Sequence, residues 1–129
     1  MPKSKEYGSL FFTLKSVILY HNPKCSKSRE VLSLLDSRTL NVEIKDYIKQ
    51  GLEEDEVVLL SKKLELFPTE FIRKSETAYN ALSTHDLSFE EWVNIICENP
   101  ILLQRPIVVV GSRAVIARPK ENALKLLPL

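Results

Sequence analysis

The sequence predicts an α/β domain built on a mixed four-stranded sheet with a helical insertion. Three observations carry that prediction. A strand–helix–strand pattern occupies residues 17–46, a β-hairpin pattern occupies residues 107–117, and helical periodicity fills the space between. A chain of 129 residues suits one domain of this kind. Residues 1–16 read as an N-terminal extension, residues 17–129 as the domain, and about 52–104 as the insertion.

Each element has its own signal. Val17 to Tyr20 is a short apolar run, as a buried strand requires. Cys25 to Asp36 reads as a helix, because Val31, Leu34 and Leu35 fall on one face at spacings of three and four. Asn41 to Asp46 alternates, with Val42 and Ile44 on one side, and reads as the second strand. Such a unit crosses over right-handed and makes a parallel pair. Val57, Leu60, Leu64 and Phe67 then recur at helical spacing behind an acidic start, Glu53 to Glu56. Acidic side chains there complement the positive end of the helix dipole. Pro68 interrupts, and Thr69 to Lys74 is predicted to begin another short helix. Ser88 and Glu91 have capping-box spacing ahead of Phe89, Trp92, Val93 and Ile96, and this helix should stop near Asn99-Pro100. Ile107 to Val110 is a β-branched run, Gly111-Ser112 a turn, and Ala114 to Ala117 a returning strand. Pro119 then opens a closing helix carrying Ala123, Leu124, Leu126 and Leu127.

Bulk properties narrow the function. A formal net charge of +1 gives no sign of nucleic-acid binding. The apolar runs fall short of the roughly 20 residues that span a bilayer, so no membrane role is expected. The stretch Leu10 to Leu14 is too short for a signal peptide and lacks a small-residue cleavage site. Two distant cysteines are too few for a secreted disulfide scaffold, which points to a reducing cytoplasm. His21, His85 and the two cysteines lack metal-ligand spacing, so no metal is expected.

Cys25 is the leading candidate for chemistry. It ends a polar turn after Pro23-Lys24 and starts a helix. Unpaired N–H groups and the helix dipole favour thiolate there, and thiolate is the reactive form. A free cysteine is more often a small core hydrophobe, but this polar position argues against that reading. The motif is Cys-Ser-Lys-Ser, so Ser28 stands where a Cys-x-x-Cys pair has its second thiol. Any redox cycle must therefore draw a second thiol from elsewhere. Cys97, beside Ile95 and Ile96 in an amphipathic helix, reads as a packing residue, which leaves an external thiol as the simpler partner. His21, four residues before Cys25, is either an ordinary turn histidine or a group that supports the thiolate.

The element order, with its helical block removed, is the plan of a thioredoxin or glutaredoxin domain. That fold puts its reactive cysteine at the start of the first helix and faces it with a cis-proline, for which Pro106 has the right place. Arg105 and Arg118 each immediately precede a proline at an edge of the β-unit. Arg73 lies in the helical block between Phe71-Ile72 and Lys74. Guanidinium forks match tetrahedral oxyanions through paired charged hydrogen bonds. A thiolate surrounded by arginines suits binding and attacking an oxyanion.

The segment Tyr20-His-Asn-Pro-Lys-Cys-Ser-Lys-Ser-Arg-Glu30, with Arg105-Pro-Ile-Val-Val109 and Arg118-Pro119, closely resembles the glutaredoxin-coupled arsenate reductase family. The likeness covers about residues 17–127, and the three motifs together are specific. It implies a thioredoxin-like fold and cytoplasmic reduction of arsenate to arsenite with glutathione as co-substrate, glutaredoxin as partner and no bound cofactor. On this resemblance Cys25 is the nucleophile, and His21 keeps it charged. Arg73, Arg105 and Arg118 hold the oxyanion, Arg73 being aligned through the looser Phe71-Ile-Arg-Lys74 context. A related branch of RNA-polymerase-binding regulators typically carries Cys-x-x-Cys at this helix, unlike Cys25 and Ser28 here. A thiol-based redox sensor or protein-binding regulator of the same fold, and a phosphate- or sulfate-binding module, are the alternatives.

Overall fold

A computed structural model describes residues 17–38, 41–82 and 86–127. The predicted extension at residues 1–16 lies outside them, as does His85. The strands are β1 (Val17–His21), β2 (Val42–Asp46), β3 (Ile107–Val110) and β4 (Arg113–Ile116). They form one sheet in the order β2-β1-β3-β4. The β1–β2 pair is parallel, while β1–β3 and β3–β4 are antiparallel. This is the mixed four-stranded, thioredoxin-like sheet that the sequence predicts.

Strand alternation divides the core into two layers. Val17 and Leu19 of β1, with Val108 and Val110 of β3, face helix α1 (Ser26–Ser37) and a closing 3₁₀ segment (Lys120–Leu126). Val31 and Leu35 of α1, with Ala123 and Leu126, complete that layer. On the opposite face, Tyr20, Ile107 and Val109 pack against α3 (Glu54–Leu64) and α5 (Phe89–Glu98) through Val57, Leu60, Trp92, Val93 and Ile96. Two short helices, α2 (Tyr47–Gln50) and α4 (Thr77–Asn80), complete the α-helices of the described residues. Capping boxes open α3, through Glu53 and Glu56, and α5, through Ser88 and Glu91, the second as its spacing predicts.

Three local expectations change. The short helix predicted from Thr69 is a 3₁₀ turn, Pro68–Glu70, followed by extended chain that bridges Ile72 to Leu103. Backbone pairing wins there. Arg73 N–H donates to the Leu102 carbonyl at 2.6 Å and Gln104 N–H to the Phe71 carbonyl at 2.9 Å, while Phe71 and Ile72 bury their side chains. Helix α3 ends at Leu64 because Glu65 turns left-handed, with φ 58°. Phe67 therefore leaves the helix face and packs edge-on against Phe89, with ring centroids 5.9 Å apart. The closing helix is 3₁₀ rather than α, and Pro119 is its cap rather than its first residue.

Strand register fixes where a site can form. His21 and Asp46, the last residues of β1 and β2, are partners, so the chain leaves both strands at the same sheet end. Ile107 pairs with Tyr20 and with Ile116, so β3 enters and β4 leaves at that same end. The turn to Cys25, Tyr47, Arg105-Pro106 and Arg118-Pro119 all belong to it. Both Arg–Pro peptide bonds are cis.

Leu35 is fully buried beneath the sheet. Leu35→Ala is expected to lower unfolding free energy by about 2–5 kcal/mol. Urea unfolding tests this, with an unchanged dependence on denaturant as the sign of a pure packing loss.

Candidate active site

The turn from β1 into α1 is organised by its own polar groups. Cys25 N–H donates to the Asn22 carbonyl at 2.9 Å, and Lys24 N–H to Asn22 Oδ1 at 3.0 Å. Arg29 reaches back to the Pro23 carbonyl at 2.8 Å. Ser28 is fully buried, and its hydroxyl is the hub. It accepts from Asn22 N–H at 3.1 Å and lies 2.6 Å from His21 Nδ1. The position of a second redox cysteine is thus filled by a serine that ties the strand end to the helix.

Cys25 is the N-cap of α1, with extended φ and ψ of −97° and 122°. Its sulfur faces the N–H groups of Lys27 and Ser28, which favour negative charge there without reaching strict capping geometry. Burial, the largest single influence, pushes the thiol pKa up. The Ser28 and Lys27 N–H groups and the Arg105 guanidinium together outweigh burial, and the pKa lies below the ordinary thiol value. Cys97 shows the opposite balance. Burial raises its pKa, and Glu54, Glu53, Glu56 and Glu98 raise it further. Cys97 packs against the core, as its sequence context predicts.

The arginines converge from separate elements. Arg118 Nη2 lies 3.6 Å from Cys25 Sγ, while its Nε donates to the Arg105 carbonyl at 2.6 Å. One arginine therefore anchors the other's backbone. Arg105 is 9% exposed, and its Nη1 reaches the Ile101 carbonyl at 3.4 Å. Arg73 joins through Glu76, an acid that the sequence reading did not single out. Glu76 Oε2 is ion-paired with Arg73 Nη1 and lies 3.7 Å from Arg105 Nη2. Its only sequence signal is an acid three residues after Arg73, the spacing of an ordinary local ion pair.

His21 is brought to the site differently. Its hydrogen-bond partner is Ser28, not the sulfur. Burial lowers the His21 pKa, with Asp46 opposing and Arg29 reinforcing the change. Burial thus disfavours the imidazolium here, and the ring's hydrogen bond goes to Ser28 rather than to the sulfur.

Two polar atoms in this region are buried without a hydrogen-bond partner among the described residues: Tyr47 Oη and Arg105 Nε. An unpaired buried donor costs about 1–3 kcal/mol, and two lie at this one site. Among the described residues, no group of His, Cys, Asp and Glu is arranged to hold a metal ion, and no helix is long and apolar enough to cross a membrane.

The electrostatic balance gives a titration test. Alkylation of Cys25 should rise with pH through a midpoint below that of an ordinary thiol and then level off. Glu76→Gln removes the carboxylate that offsets Arg105, leaving more positive field at the sulfur. The midpoint should then move lower still. An upward move would contradict this placement of Glu76.

Comparison with known proteins agrees with the geometry. The sequence model of the ArsC family matches residues 20–126. An arsenate reductase of Haemophilus influenzae is 38% identical over 115 residues, covering 87% of this chain and 99% of that protein. An uncharacterised Escherichia coli protein, YfgD, is 37% identical over 115 residues, covering 87% of this chain and 97% of that protein. The solved structure of an arsenate reductase from Vibrio cholerae superposes with a TM-score of 0.83 at 35% identity, covering 88% of this chain and 98% of that one. With its turn, its converging arginines and these matches along nearly all of the described domain, the chain belongs to the ArsC family.

Proposed function

We propose that this protein is an arsenate reductase that works with glutathione and glutaredoxin in the cytoplasm. One observation carries the reading: a cysteine with a lowered pKa stands beside Arg105 and Arg118, in a chain 38% identical to a protein named arsenate reductase. Arsenate is a tetrahedral oxyanion, and guanidinium groups bind such anions through paired hydrogen bonds.

In this reading arsenate docks against Arg105 and Arg118 at the amino end of α1, with Arg73 released from Glu76 to join them. The Cys25 thiolate attacks arsenic, forming a sulfur–arsenic bond as an oxygen leaves as water or hydroxide. His21 acts as a positioning residue, holding Ser28 and so the N–H groups that face the sulfur. Glutathione then joins the adduct. A glutaredoxin thiolate attacks the arsenic-bound glutathione sulfur: the arsenic–sulfur bond breaks, a glutathione–glutaredoxin disulfide forms, and arsenic takes the electron pair and passes from the +5 to the +3 state. Water then displaces Cys25 from arsenic, arsenite leaves, Cys25 returns as thiolate, and a second glutathione resolves the mixed disulfide. No resident cofactor enters this scheme.

An external thiol is supported by the buried Ser28 and by Cys97, whose raised pKa suits it poorly to attack. The test is arsenite production from arsenate with glutathione and glutaredoxin. Cys25→Ser is expected to abolish turnover, and Cys97→Ser to retain most of it. Absence of turnover by the folded wild-type protein would overturn the reading. Turnover with thioredoxin alone would overturn its choice of reductant.

A further inference from the structure

Tyr47 lies at the site's sheet end, yet no role in the scheme above uses it. It follows Asp46, the β2 residue paired with His21, and so leaves the sheet alongside the turn to Cys25. Its side chain is fully buried, but its hydroxyl has no hydrogen-bond partner. The Arg105 guanidinium approaches that hydroxyl closely enough to lower its pKa by charge and by a loose contact, short of hydrogen-bond geometry, and its own Nε is buried and unpaired as well. Cys25 and Arg73 also act on it. Two donors, held by different elements, thus lack an acceptor among the described residues beside the Cys25 sulfur. Buried polar groups are nearly always paired, so the missing partner is best sought in a ligand.

We propose that Tyr47 is a further substrate-binding residue, its hydroxyl donating a hydrogen bond to an oxygen of the oxyanion held by Arg105. A tetrahedral oxyanion has oxygens enough for both this hydroxyl and the guanidinium. The phenol stays protonated throughout the neutral range, since burial pushes its pKa up to about 12 even against the opposing effects of Arg105 and Arg73. It is a neutral donor that adds no charge to a site already rich in it. The groups that favour the Cys25 thiolate are Ser28, Lys27 and Arg105, and Tyr47 is not among them. Its loss should therefore spare the nucleophile and weaken the anion's hold.

This assignment rests on the arsenate-reductase reading, and its test separates the two. Alkylation of Cys25 by iodoacetamide is measured against arsenate concentration, which gives a protection constant without turnover. Tyr47→Phe removes only the oxygen. The variant should be at least as heat-stable as the wild type, because an unpaired buried hydroxyl is lost. Its alkylation rate without arsenate should be unchanged, while half-protection should need about tenfold more arsenate, the scale of one hydrogen bond to a charged group. A folded Tyr47→Phe protein protected as well as wild type would overturn the assignment and leave the reductase reading standing. Wild-type protein that arsenate does not protect would overturn both. Fluorotyrosine-labelled wild-type protein supplies a second readout that needs no Tyr47 variant. The Tyr47 fluorine signal, assigned by elimination with Tyr→Phe changes at the other tyrosines, should move when arsenate is added. An unmoved signal at protecting concentrations would contradict the contact.

Discussion

A half-buried sulfur whose charged form is favoured has to be compensated, and the architecture of this protein follows from how that is done. Burial alone would keep Cys25 a neutral thiol. Two backbone N–H groups of α1 and one guanidinium reverse the balance. None of these is available to an isolated turn. The N–H groups exist because α1 begins at Cys25, and Arg105 arrives from the far side of the helical insertion. In the proposed reading the same positive field that favours the thiolate draws in the oxyanion, so nucleophile and substrate share one electrostatic source. Glu76 tempers that field by pairing with Arg73 and approaching Arg105.

Sheet topology makes the convergence possible. Parallel β1 and β2 release the chain at one end, and antiparallel β3 and β4 bring their Arg–Pro junctions to that end too. The two faces of the sheet are sealed by separate apolar layers. The bridge from Ile72 to Leu103 then fastens the Arg73 segment to the chain leading into Arg105. Positions far apart in sequence are thereby held by backbone hydrogen bonds rather than by long side chains alone.

Much of this was legible in the sequence because the strands and the capped helix follow strong local rules. Val17 to Tyr20, Ile107 to Val110 and the Ser88–Glu91 box each announce their structure through a few neighbouring residues. Residues 69–74 do not, because their conformation is decided by partners at Leu102 and Gln104, some thirty positions away. The same distinction holds at the site. Cys25 and the two Arg–Pro pairs are conspicuous, whereas Tyr47 looks like any aromatic after a strand and Glu76 like any local acid. Their meaning is tertiary: one places an unpaired hydroxyl, the other a carboxylate, among arginines from elsewhere. His21 shows a subtler shift, since sequence proximity suggests a hydrogen bond to Cys25 and the fold gives that bond to Ser28.

The central claim is that Cys25 attacks an oxyanion held by the arginines around it. A crystal structure of the wild-type protein soaked with arsenate, read from the anomalous signal of arsenic, tests it most directly. The account predicts arsenic bonded to Cys25 Sγ, with its oxygens within hydrogen-bond distance of Arg105 and Arg118. Arsenic bound elsewhere on the chain, or absent from an accessible Cys25 at concentrations that saturate turnover, would contradict it.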